Sequence, residues 1–139
     1  MGPGDATPEQ EALAEEVGRL LARRGAVVVC GGLGGVMAAA CRGARGEGGT
    51  AVGILPGLDR RAANPHVSVA VPTGLGEARN ALVVRAADAL IAVGGAYGTL
   101  SEIALALKAG KPVIGLGTWE IDGVARADGP EAAVESALT

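Results

Sequence analysis

Leu13, Val17, Leu20 and Leu21 recur at helical spacing as far as Gly25. In front of them Thr7-Pro8-Glu9-Gln10 combines a hydroxyl cap, a proline at the first helical position and a Gln three residues after the cap. An amphipathic helix is predicted there. Residues 26–30 are a short β-branched apolar run stopped by Gly31-Gly32, the pattern of a strand covered on both faces. Residues 36–45 read as a helix of small residues, 50–55 as a second strand closed by Pro56-Gly57, and 58–66 as a polar loop. Val67, Val69 and Val71 alternate in a weaker strand ended by Pro72. Helical patterns follow at 77–87 and 99–109 and strand patterns at 88–93 and 112–116, then a polar connection leads to a short helix at 130–138.

Helices and strands alternate at the spacing of right-handed crossovers. The expected fold is α/β: a doubly wound parallel sheet, Rossmann-like, in three α/β/α layers, built as a single domain over residues 1–139. A fold of this class normally opens with a strand. Met1-Gly2-Pro3-Gly4-Asp5 reads instead as a strand-to-helix loop whose strand is absent. That predicts a sheet lacking a central partner, with lowered stability or association through its open edges.

Composition narrows the class. With 49% hydrophobic and 19% charged residues the chain has the apolar content to build a core. It has no Phe, one Tyr and one Trp, so the core must be aliphatic, which suits a buried parallel sheet. A net charge of −3 without a basic block disfavours generic nucleic-acid binding. No stretch approaches the roughly 18 apolar residues of a membrane span, and no basic-then-apolar leader opens the chain. Cys30 and Cys41 form no CxxC pair and His66 is the single histidine, so no zinc-type metal site is expected; the reading is a protein of the reducing cytoplasm. The 24 glycines show no collagen period and imply local backbone work, in turns or where chain approaches ligand.

In an open parallel sheet, ligands bind at the carboxyl ends of the strands. Four glycine-bearing loops fall at such ends: Gly31-Gly32-Leu33-Gly34-Gly35, Pro56-Gly57, Thr73-Gly74-Leu75-Gly76-Glu77, and Gly94-Gly95-Ala96-Tyr97-Gly98-Thr99. They are expected to meet on one rim. The first and last run from strand straight into helix, where unpaired N–H groups make an anion site, and the natural ligand is a phosphate. Neither loop is a GxGxxG dinucleotide fingerprint or a Walker loop. The alternative is that the glycines only make tight strand–helix turns.

Gly31-Gly32-Leu33-Gly34-Gly35-Val36-Met37, the segment from Gly49 to Pro56, Glu77-Ala78-Arg79-Asn80, Ala87-Asp88-Ala89, and the segment from Gly94 to Glu102 occur in an order and spacing that resembles the LOG family. That family has long carried the label "possible lysine decarboxylase", and its characterised members are cytokinin riboside 5′-monophosphate phosphoribohydrolases. Within it the chain is most similar to a small nucleotide-binding-like branch that includes molybdenum cofactor carrier proteins. The resemblance implies ligand-binding positions at Gly31, Gly32, Gly34, Gly35, Met37, Pro56, Gly74, Asn80 and residues 94–99, and catalytic positions at Arg79 and Glu102. It also implies a homodimer or larger assembly, through the helices at 77–87 and 99–109. Against the enzymes' PGGxGTxxE and Glu-Arg-Lys motifs, Gly94 stands for Pro, Ala96 for the second Gly, and Ala78 and Asn80 disturb the Glu-Arg-Lys block. The lost Lys favours a carrier or sensor without catalysis. Retained Arg79 and Glu102 favour the phosphoribohydrolase, and the two readings stand side by side. The ligand is a nucleoside monophosphate or a molybdenum-cofactor-like molecule, with no separate cofactor required.

Cleavage of a ribosyl–base bond passes through an oxocarbenium-like sugar. A carboxylate can stabilise it or activate water, and an Arg can fix an anionic group. Glu102 and Arg79 fit those parts. Glu102 has a second reading, as the last member of a capping box Thr99-Leu100-Ser101-Glu102. Tyr97 and Trp119 lie in loops after strands and either stack on a base or cover apolar surface. Pyridoxal-dependent decarboxylation needs a Schiff-base lysine, and Lys108 and Lys111 lie at the wrong end of their helix.

Overall fold

The computed structural model describes residues 1–139. Helix α1 (Pro8–Arg23) begins at the expected capping box: the Gln10 N–H donates to the Thr7 hydroxyl at 3.1 Å, and the Thr7 N–H donates to the Gln10 side chain at 3.0 Å. Strand β1 (Val28–Cys30), helix α2 (Val36–Gly46) and strands β2 (Ala51–Leu55) and β3 (Val69–Pro72) follow. A 3₁₀ turn (Gly76–Arg79) then leads into helix α3 (Asn80–Ala86). Strand β4 (Leu90–Val93), helix α4 (Tyr97–Lys108), strand β5 (Val113–Leu116), a two-residue strand β6 (Ala125–Arg126) and helix α5 (Pro130–Leu138) complete the chain. β6 lies in the connection expected to be irregular. Both of its residues are exposed, so no apolar pattern marks it, and it is held by backbone pairing to β5.

Every strand pairing is parallel, in the orders β1-β2-β3 and β4-β5-β6. Strand alternation sorts the core into the expected three layers. Ile91 and Val93 of β4, with Ile114 and Leu116 of β5, pack under α1, α2 and α5 through Val17, Val36 and Val134. Leu90, Ala92 and Val113 face the other way, onto Val84 of α3 and Ile103 and Ala106 of α4. Cys30 and Cys41 are buried and unbridged, with their sulfurs 3.4 Å apart between β1 and α2, as small apolar groups do. α1 and α2 approach so closely that a Cβ on Gly18 would stand 2.0 Å from the Ala40 carbonyl oxygen.

The two half-sheets do not join. Their facing edges are β1 and β4, and Met1 makes a single parallel rung on β4: its amino group donates to the Ile91 carbonyl at 2.8 Å and the Val93 N–H donates to the Met1 carbonyl at 2.9 Å. Beyond that rung lies an apolar slot of about 410 Å³. Val28 and Val29 line one side, Leu90 and Ile91 the other, with Val17 and Leu21 of α1 and Val83 of α3 above and below. The slot lies between the unpaired facing edges of β1 and β4.

A β-branched pentapeptide joined in front of Met1 is therefore expected to continue the rung into the slot. It should raise the melting temperature in scanning calorimetry by roughly 5 °C or more, a change of about 1 kcal/mol or above at this size. The same peptide with a central proline, which lacks an N–H for the ladder, should give no rise.

Candidate functional site

All four glycine-bearing loops reach the carboxyl edge of the strands. Leu33 from the first, Pro56 from the second, Gly76, Glu77, Arg79 and Asn80 from the third, and Tyr97, Gly98 and Ser101 from the fourth line one cleft of about 480 Å³. Small-ligand sites span roughly 300–1,000 Å³. Of the expected site residues, Pro56, Arg79, Asn80, Tyr97 and Gly98 therefore stand on the cleft wall. Gly74 lies in the third loop, two residues ahead of the wall.

The loop at residues 31–35 behaves differently from the expectation of an open helix start. The Val36 N–H, first in α2, donates to the Pro3 carbonyl at 3.0 Å, so the N-terminal turn takes the first amide of the helix. Gly31 and Gly32 are buried, and Gly34 and Gly35 sit against Gly4. Met37 packs inward against Cys30 and Cys41. The loop meets the cleft through Leu33, and Gly31 matters for the side chain it lacks. A Cβ there would stand 2.8 Å from Nη2 of Arg79 and 3.0 Å from its Cζ.

The loop at 94–99 stays open. The Gly94 N–H donates to the Leu116 carbonyl at 3.0 Å, and Gly95 and Ala96 carry the chain into α4. The helix begins at Tyr97, two residues before the predicted start, with no side chain on its first-turn amides. The Leu100 N–H donates to the Ala96 carbonyl at 3.0 Å, so the N–H groups of Tyr97, Gly98 and Thr99 have no intrahelical acceptor and stand at the positive end of the helix dipole. This start overturns the capping-box reading of Glu102. Thr99 sits inside the first turn, 2% exposed and with its Oγ1 unpaired, and Glu102 lies nearly a full turn further along. The cleft-lining Ser101, not singled out in the sequence, follows from the same register: it lies four residues after Tyr97, on one face of the helix.

Two charged side chains are buried here. Arg79, 9% exposed, ends the 3₁₀ turn; its Nη1 donates to the Asn80 side-chain oxygen, and its Nε has no partner. Glu102, 8% exposed, is pushed above the ordinary value of 4.5 by burial, against the opposing pull of the N-terminal ammonium and Arg79. Lys111 is engaged elsewhere: its Nζ donates to the Val84, Arg85 and Ala87 carbonyls at the end of α3. No group of three or more His, Cys, Asp or Glu is placed to hold a metal ion, and no helix is long and apolar enough to cross a membrane.

A model of the SLOG cluster4 family matches residues 1–137. The chain belongs to that family. The structure of a molybdenum cofactor binding protein from the phototrophic bacterium Rippkaea orientalis is similar over 100% of this chain and 94% of its own, with a TM-score of 0.94 and 40% identity. The molybdenum cofactor carrier protein from Chlamydomonas reinhardtii gives 0.89 and 36%, covering 98% of this chain and 92% of that one. An uncharacterised protein of Archaeoglobus fulgidus is 43% identical over 140 residues, 100% of this chain and 92% of that protein. The Rossmann-like SLOG fold, and the LOG-like branch with its carrier proteins, are thereby established for this chain.

Glu102 yields a pH test. A carboxyl whose folded value is raised supports the fold fully below its unfolded value, and that contribution is lost as pH rises through the folded value. Glu102→Gln is therefore expected to melt at a higher temperature than the parent at pH 7, and the difference should vanish by about pH 4. A constant difference across that range would contradict the burial.

Proposed function

We propose that this SLOG cluster4 protein binds a phosphorylated nucleotide or nucleotide-like cofactor in the cleft as a non-catalytic carrier, and that the ligand is the molybdenum cofactor or a close chemical relative. One observation carries the reading: a buried guanidinium with a free Nε shares a cleft with the unclaimed first-turn amides of α4. A phosphate there satisfies both. The solved neighbours described as molybdenum cofactor proteins supply the ligand class. With no metal-ligating cluster in the protein, the grip falls on the phosphate and the organic frame, and any metal keeps the cofactor's own ligands. The setting is the cytoplasm, with which the two free thiols agree.

The second reading is a nucleoside 5′-monophosphate phosphoribohydrolase, favoured by the buried carboxyl of Glu102 within the field of Arg79. Against it, Asn80 stands where the enzymes' motif has Lys, and its side chain is bonded to Arg79 itself. One measurement separates the two. Calorimetric titration with AMP and GMP, followed by chromatography of the mixture, is expected to show binding without free base. Arg79→Ala should weaken binding roughly tenfold or more, as loss of a charge-assisted contact does. Release of base, abolished in Glu102→Gln, would establish the enzyme instead.

The same reading includes a homo-oligomer joined through α3 and α4, which expose Leu82 and Leu105. Light scattering is expected to give at least twice the chain mass of 13.6 kDa, and the double variant Leu82→Arg, Leu105→Arg should run as a monomer.

A further inference from the structure

The chain contains no Phe, one Tyr and one Trp, and its core is aliphatic throughout. Of the two aromatic rings, Tyr97 lines the cleft and Trp119 stands behind it, outside the lining. They stack on each other, with centroids 6.2 Å apart and planes inclined by 24°. Tyr97 lines the cleft as the first residue of α4, and Trp119 reaches back to it from the segment after β5. Trp119 is held in place: its Nε1–H donates to the Ala96 carbonyl at 3.3 Å, and its ring lies over Gly95, where a Cβ would come within 2.8 Å of Nε1. A side chain at position 95 would push the indole off the loop. The pair covers little of the fold, since Tyr97 remains 83% and Trp119 38% exposed. Aromatic surface left in water beside a cleft is available to a ligand's ring.

We propose that the Tyr97–Trp119 pair is the ring-binding half of the cleft, taking the fused heteroaromatic ring of the ligand by stacking while Arg79 and the α4 amides take its phosphate. This rests on the cleft proposed above and adds to it a selectivity for purine- or pterin-type rings over bare sugar phosphates. The geometry suits the division, because Tyr97 is itself the first residue of the turn whose amides are free. Stacking tolerates different rings and discriminates against none by hydrogen bonding, so size and planarity set the choice.

Trp119 is the only tryptophan, so its emission reports on this site alone. Fluorescence and calorimetric titrations with GMP, guanosine and ribose 5-phosphate test the proposal. GMP and guanosine are expected to quench Trp119, while ribose 5-phosphate binds without quenching. Trp119→Leu and Tyr97→Leu, each checked for a parent-like melting temperature, should weaken GMP about tenfold or more and leave ribose 5-phosphate unchanged; Tyr97→Phe should retain GMP binding. Quenching by guanosine with no binding of ribose 5-phosphate would remove the phosphate reading and keep the stacking site. Parent-like GMP affinity in both leucine variants, or an absence of quenching by GMP and guanosine alike, would overturn the proposal.

Discussion

A guanidinium buried without a carboxylate is the constraint around which this edge of the molecule is arranged. Arg79 cannot shed its charge, and removing it from water is costly unless its donors are met. One is met by Asn80, the neighbouring residue, and Nε by nothing. The backbone makes room by leaving Gly31 without a side chain, because a methyl group there would overlap the guanidinium. A protein that needed only stability would place an apolar residue or an ion pair at this position. The charge is retained where an anion from outside would complete it.

Glu102 poses the complementary question. Burial raises its carboxyl, and the earlier start of α4 removes the capping role that would have explained a carboxylate there. Arg79 and Glu102 feel each other across the site without forming an ion pair, so neither neutralises the other. Arg79 lines the cleft and Glu102 is buried outside its lining, so the two groups act on each other only through their fields. The proposed anion binding through Arg79 would draw on that arrangement. Whether both groups act depends on how Asn80 holds the guanidinium, which a lysine at the same place would repel.

Local signals were legible in the sequence where the residues involved are neighbours along the chain. The Thr7–Gln10 box, the strand that became β4 and the placement of the four loops at strand ends all follow from short windows. The start of α4 was not legible. Thr99-Leu100-Ser101-Glu102 imitates a capping box, whereas the true cap is Ala96, whose carbonyl receives both the helix's first bond and the Trp119 indole from 23 residues away. The neighbours of the loop at 31–35 were not legible for a similar reason. Nothing local shows that Pro3 will occupy the first N–H of α2, or that Arg79, 48 positions later, will lie against Gly31. β6 escaped notice because backbone pairing alone holds it.

The cleft straddles the seam of the split sheet. Leu33, Pro56 and Arg79 belong to the half built on β1, β2 and β3, whereas Tyr97, Ser101 and Trp119 belong to the half built on β4 and β5. Across the seam the halves share helix packing through α1 and α2 on one face and the α3–α4 contact on the other, but no strand ladder. A ligand held by Arg79 on one side and by the α4 amides on the other would therefore cross-brace the two halves. By linkage, whatever binds only the folded chain stabilises it. The apolar slot opens onto the same seam from within, between β1 and β4.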